Sequence, residues 1–150
     1  MIKVAKVGSS ISINKPIEEV FDYTASPFNG PAFIPNLMEN TNINPEKPGV
    51  GQTFNWRFNL AGLDLTGNGV GTKYERPHLA EIKTTGGGES IWTYKFNEKD
   101  GGTKVTIEVE YKLPEGVLKK VTNPPVIDKL NQHSAEEMLK NLKVILEESS

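Results

Sequence analysis

The last third of the chain, Pro114 to Glu148, limits the available folds more than any other stretch. Ile127, Leu130, Ser134, Met138, Leu142 and Ile145 recur every three or four residues, and Ala135, Leu139 and Leu146 widen the stripe. That spacing predicts a long amphipathic helix with one apolar face. Lys129, Glu136, Lys140, Lys143 and Glu147 fall on the other face, which is therefore solvated. No helix-period stretch of similar length precedes it. Its apolar face needs a cover, and the alternating segments upstream supply one in the form of a sheet. Ser134 interrupts the stripe near its middle, where a small polar residue either accommodates packing or faces a cavity.

Upstream, Val4 to Ile13 alternates, with Val7, Ser9, Ile11 and Ile13 on one side, and predicts a first strand. Asn14 as a cap, Pro16 in the first turn and Glu18 and Glu19 near the N-terminus then start a short helix through Ile17, Val20, Phe21 and Tyr23. Ser26-Pro27 ends it. A second short helix or tight loop follows over Phe28 to Pro35. Leu37 to Asn44 reads as a weak strand and Pro45 to Gly51 as a loop. Strands are expected at Gln52–Leu60, Leu63–Tyr74, Leu79–Thr85, Ser90–Asn97 and Thr103–Leu113. Gly86-Gly87-Gly88 and Lys99-Asp100-Gly101-Gly102 punctuate them as turns. The last strand is the clearest, with Val105, Ile107, Val109, Tyr111 and Leu113 on one side and Lys104, Thr106, Glu108, Glu110 and Lys112 on the other. Strands joined by hairpins and closed by a helix make an antiparallel sheet in an α+β domain. With 150 residues and no linker or repeat, one domain spanning 1–150 is expected.

Four segments carry a resemblance. Ile11-Ser12-Ile13-Asn14-Lys15-Pro16-Ile17-Glu18-Glu19-Val20-Phe21-Asp22-Tyr23 resembles the start of the polyketide cyclase/dehydrase and lipid-transport group, within the START and birch-pollen-allergen-like superfamily. Gly49-Val50-Gly51-Gln52-Thr53-Phe54 is similar to that group's turn into its third strand, Gly102-Thr103-Lys104-Val105-Thr106 to the entry of its last strand, and Asn141-Leu142-Lys143-Val144-Ile145-Leu146-Glu147 to its ending. The resemblance implies a helix-grip fold: a curved antiparallel sheet of about six or seven strands wrapped around the C-terminal helix, with two short helices after the first strand and a cavity between sheet and helix. It also implies lipid, quinone, polyketide or hormone binding in some members, cyclisation or dehydration in others, and accessory roles in others. The group has no shared catalytic motif to carry over.

Composition removes several function classes. A net charge of −2 leaves no basic footprint for nucleic acid. The absence of cysteine excludes disulfides and thiolate chemistry. The opening Met1 to Lys6 lacks the apolar core of a signal peptide, and no apolar run approaches the roughly 20 residues of a membrane span, so a cytoplasmic protein is expected.

The aromatic residues Phe54, Trp56, Phe58, Trp92, Tyr94 and Phe96 fall on single faces of two strands. They are either core or the wall of a ligand cavity, and Trp and Tyr bring polar atoms that need partners when buried. With the resemblance, the expected ligand-binding set is Phe33, Phe54, Trp56, Phe58, Trp92, Tyr94, Phe96, Tyr111, Leu130, Ser134 and Met138. Gly67, Gly69 and Gly71 are no phosphate loop: no Lys-Ser or Lys-Thr pair follows and no helix opens there. At period two in a strand they strip one face and permit bending. His133 and Glu137 read as a solvated helix pair, His78 as an exposed turn residue and Arg57 as an outward salt link. Two histidines do not make a zinc site, and no metal or cofactor is expected. Val117, Leu118 and Val121 form either a short turn near a cavity mouth or a plain connector.

Three functions are therefore weighed. The favoured one is binding or carriage of an apolar small molecule. The second is a cyclase, dehydratase or isomerase using Tyr94, Tyr111 or Ser134 as proton donor or orienter. The third is an accessory protein whose patch at Phe28, Phe33 and Ile34 meets a partner chain.

Overall fold

The structure, a computed structural model, describes residues 4–60, 62–87, 89–112 and 124–148, without the side chains of 4 and 124–127. The expectations at Leu113, Gly88, Val117, Leu118 and Val121, and for the Ile127 side chain, lie outside these. The elements are β1 (Val4–Ile13), α1 (Ile17–Ala25), a 3-10 turn (Pro27–Asn29), α2 (Gly30–Phe33), β2 (Leu37–Asn44), β3 (Thr53–Leu60), β4 (Leu63–Glu75), β5 (Leu79–Gly86), β6 (Glu89–Lys99), β7 (Gly102–Lys112) and α3 (Pro124–Glu148). The strands form one seven-stranded antiparallel sheet in the order β1-β7-β6-β5-β4-β3-β2. This is the helix-grip architecture.

Period-two alternation sets the register. On β7, Val105, Ile107, Val109 and Tyr111 are all buried, and Lys104 and Glu110 are exposed. On β3, Phe54 is buried and Trp56 and Phe58 half-buried, with Thr53, Asn55 and Arg57 exposed on the outer face. A one-residue slip would have exchanged these sets. Asp100 at φ 50° and Gly101 at φ 81° make the tight β6–β7 turn, both left-handed as such a hairpin needs.

Asn14 does not cap α1, whose N-cap is Pro16 with no side-chain bond. Its backbone N–H instead donates to Glu147 Oε2 at 2.9 Å, fixing the end of α3 to the β1–α1 turn. Further along, Lys143 Nζ donates to Ser12 O at 2.6 Å. The Gln132 amide both donates to Gly8 O (2.9 Å) and accepts from Gly8 N–H (3.3 Å). Polar groups on one flank of α3 thus hold it along β1, and Asn141 Nδ2 ties it to Phe33 O at 3.1 Å.

The buried stripe of α3 is Ala135, Met138, Leu139, Leu142 and Leu146. Leu130 is 41% exposed and Ser134 half-buried, which corrects the expected centre of the face. At 3.6 residues per turn, Ser134 sits about 80° and Leu130 about 120° round from Leu142. The expected surface patch is corrected too: Phe28 is exposed, but Phe33 is 1% exposed and belongs to the core.

Beneath α1, Phe21 meets Tyr74 and Phe96 edge-on at 5.2 and 5.0 Å, and Val20 and Ile17 complete a dry cluster. Gly69 and Gly67 pair across the sheet with Phe54 and Trp56. A Cβ on Gly69 would lie 2.3 Å from the Phe54 ring, and one on Gly67 would lie 2.5 Å from the Trp56 ring. The glycines are therefore shelves on which the two rings lie. Trp56 is anchored there by donating its Nε1–H to Asn68 O at 3.0 Å.

Candidate functional site

Between the inner face of the sheet and α3 lies a partly open cavity of about 170 Å³. The 3-10 turn and α2 close one side of it with Pro27, Gly30, Phe33 and Ile34. Asn40 Nδ2 donates to Pro27 O at 2.8 Å and so straps that turn to β2, leaving its own buried Oδ1 without a partner among the described residues. The floor is built by inward positions of successive strands: Phe54, Trp56, Phe58 and Leu60 on β3, Leu65 on β4, Ile82 and Thr84 on β5, Ser90, Trp92 and Tyr94 on β6, and Val109 and Tyr111 on β7. Asn131, Ser134, Ala135 and Met138 of α3 form the roof.

Of the residues singled out in the sequence, Phe33, Phe54, Trp56, Phe58, Trp92, Tyr94, Tyr111, Ser134 and Met138 meet at this one cavity. Phe96 and Leu130 do not. Phe96 is two residues beyond Tyr94 on the same face, and there α1 fills the space, so its ring packs on Phe21. Leu130 points away for the helical reason given above.

Two groups escape the sequence reading. Asp128 and Asn131 continue the buried stripe of α3 at the spacing 128, 131, 135, 138, 142, 146, with Asn131 only about 20° from Leu142. The helix face changes from apolar to polar where it passes from core to cavity. Tyr111 donates its hydroxyl proton to Asp128 Oδ1 at 2.5 Å. Burial pushes the Tyr111 phenol up to about 12, with the Asn131 side chain pulling the other way and Asp128 holding the proton in place. The second such group is a hydroxyl pair: Thr84 Oγ1 and Ser90 Oγ are 2.5 Å apart, and Trp92 Nε1 donates to Ser90 Oγ at 2.7 Å. Tyr94 is 2% exposed, and its phenol is pushed up by burial alone.

Elsewhere, His133 stands 4.0 Å from Glu137 on the outer face of α3, 70% exposed. His78 lies in the β4–β5 turn with Nδ1 3.3 Å from Phe96 O. Arg57 pairs outside with Asp64 at 3.1 Å. Among the described residues no three His, Cys, Asp or Glu side chains gather as a metal site. No helix among them is long and apolar enough to cross a membrane.

A family model described as polyketide cyclase / dehydrase and lipid transport matches residues 4–147. No curated protein matches the sequence. Among solved structures, the chain is similar to the TTHA0849 protein from Thermus thermophilus, with TM-score 0.77 and 19% identity over 97% of this chain and 100% of that one. It is also similar to the di-domain ARO/CYC StfQ from the steffimycin biosynthetic pathway (TM-score 0.75, 13% identity, 97% of this chain, 51% of that one). A third is Ara h 8.0201 (TM-score 0.69, 14% identity, 96% and 98%). At these identities the likeness is one of fold.

Proposed function

Because the chain belongs to the polyketide cyclase / dehydrase and lipid transport family, we propose that it binds and carries an apolar small molecule in the cavity between sheet and α3, working in the cytoplasm. The observation that carries this reading is the cavity wall: mainly aromatic and aliphatic side chains from all seven strands and four helical segments, with a few polar groups. That is the usual form of a small-ligand site. At about 170 Å³ the cavity is close to the roughly 150 Å³ of a dry engineered void that takes up benzene. The enclosed part of the ligand is therefore about the size of one or two fused rings, with any remainder reaching through the opening. The proposed contact set is Phe33, Phe54, Trp56, Phe58, Trp92, Tyr94, Tyr111, Ser134 and Met138.

A cyclase or dehydratase acting in the same cavity is the second reading, favoured by the Tyr111–Asp128 pair. Carriage is preferred because a general acid works best with a pKa near the operating pH. Both cavity phenols are moved the other way, Tyr111 to about 12. Native mass spectrometry of protein purified from its own source, with organic extraction of the bound compound, tests the choice. Recovery of an unaltered apolar compound at about one per chain is expected. Recovery of a substrate and its cyclised or dehydrated product together would overturn carriage in favour of catalysis.

A further inference from the structure

Several polar groups line the cavity, and at one set of them, Thr84, Ser90 and Trp92, the hydrogens can be counted. Thr84, Ser90 and Tyr111 are direct cross-strand neighbours on β5, β6 and β7, with all three side chains in the wall. Tyr111 has spent its proton on Asp128. The Thr84–Ser90–Trp92 set brings three donor hydrogens: one indole N–H and two hydroxyl O–H. The indole proton goes to Ser90 Oγ, and one hydroxyl proton lies between Thr84 and Ser90. If Thr84 donates, the Ser90 proton is left over; if Ser90 donates, the Thr84 proton is left over. Neither residue has a further acceptor among the described residues. Whichever way the pair is oriented, one O–H donor of this half-buried set has no acceptor among the described residues and is free to bond a group that enters the cavity.

Charge narrows what can answer it. Among the described residues the charged side chains in the wall are Glu89 and Lys112, direct neighbours on β6 and β7 whose charges offset each other. They leave no net positive charge to hold an anionic head group. A neutral acceptor oxygen needs none. We propose that the Thr84–Ser90 pair is the anchoring point for a neutral carbonyl oxygen on an otherwise apolar ligand, which fixes the direction in which that ligand enters. This rests on the reading of the cavity as a small-molecule site and adds the chemistry of the ligand's polar end.

The test uses acetophenone labelled with ¹³C at the carbonyl, and its hydrocarbon isostere α-methylstyrene. Affinities come from NMR titration and the bound carbonyl band from isotope-edited infrared spectra. In the unaltered protein the band should lie below its frequency in an alkane. Thr84→Val alone should keep it there, because the Ser90 proton is then free to donate. Thr84→Val with Ser90→Ala and Trp92→Phe removes all three donors. It should return the band to the alkane position and lower the ketone-to-hydrocarbon affinity ratio about fivefold, as expected for one net hydrogen bond. Retained α-methylstyrene binding shows that the cavity survives the substitutions. An alkane-like band in the unaltered protein would overturn the proposal while leaving the cavity reading intact. So would a band that responds to Tyr94→Phe and not to the triple variant. Failure of both ligands to bind would overturn the cavity reading and the proposal with it.

Discussion

Replacing Ser134 with Phe asks whether the space under α3 is void or packed protein. Ser134 is half-buried and roofs the cavity opposite the aromatic floor. The added group is in effect a benzene ring, and the cavity of about 170 Å³ is of the size that admits one. If the ring enters, burying on the order of 100 Å² of its surface contributes about 2.5 kcal/mol. Lost rotamer freedom and a lost solvent contact for the serine offset about 1 kcal/mol of that. The expected net effect lies between no change and a gain of about 1.5 kcal/mol. Had the region been close-packed, the same change would cost about 1–3 kcal/mol. For a chain of this length, that loss corresponds to a fall of roughly 2–12 °C in Tm. Differential scanning calorimetry separates the two cases. A hydrophobic probe dye gives the second readout, since a ring in the cavity must exclude it. Unchanged or raised Tm with lost dye binding is the expected result. A Tm lowered by several degrees with dye binding intact would refute the reasoning.

Gly69→Ala should cost about 1–3 kcal/mol in denaturant unfolding, because the new methyl group meets the Phe54 ring in a buried strand pair; a neutral effect would show that the ring is free to move off its shelf. Tyr94 and Tyr111 should resist ionisation in a spectrophotometric titration. Because burial raises their folded pKa values above the unfolded value near 10, their stabilisation is complete below pH 10 and is lost as pH rises towards 12; normal titration of every tyrosine in folded protein would contradict this. Replacing both His78 and His133 with Gln should leave Tm and dye binding unchanged, since both are exposed and neither reaches the cavity; a large loss of binding would turn attention to metal or acid–base chemistry.

Much of the fold is legible because one face of the sheet is dry. On β7 the alternation of Val105, Ile107, Val109 and Tyr111 against charged residues determines both strand and register, and its observed start differs by one residue from the expected one. The site is legible where it is aromatic and hidden where it is polar. Leu130 reads as a site residue by its hydrophobicity, yet its angular position turns it to solvent. Asp128 and Asn131, being polar, are passed over in the apolar stripe, yet they share the face of Leu142. A helix that runs from core into cavity changes composition without changing direction, so angle is the better guide there. Gly67 and Gly69 can be recognised as structural from one strand. Their role as ring shelves depends on which residues of β3 lie opposite, and that pairing is a property of two strands together. The Thr84–Ser90 pair is invisible for the same reason, its partners being joined only by the β5–β6 register.

The most direct test of the cavity as a ligand site uses the chain's three methionines. Met138 is 2% exposed and roofs the cavity, whereas Met38 is 57% exposed and does not line it. Protein labelled with ¹³C at the methionine methyls and titrated with naphthalene should show a saturable shift of the Met138 signal with Met38 unmoved. An unmoved Met138 signal at ligand saturation, or equal unsaturable shifts at both residues, would contradict the account.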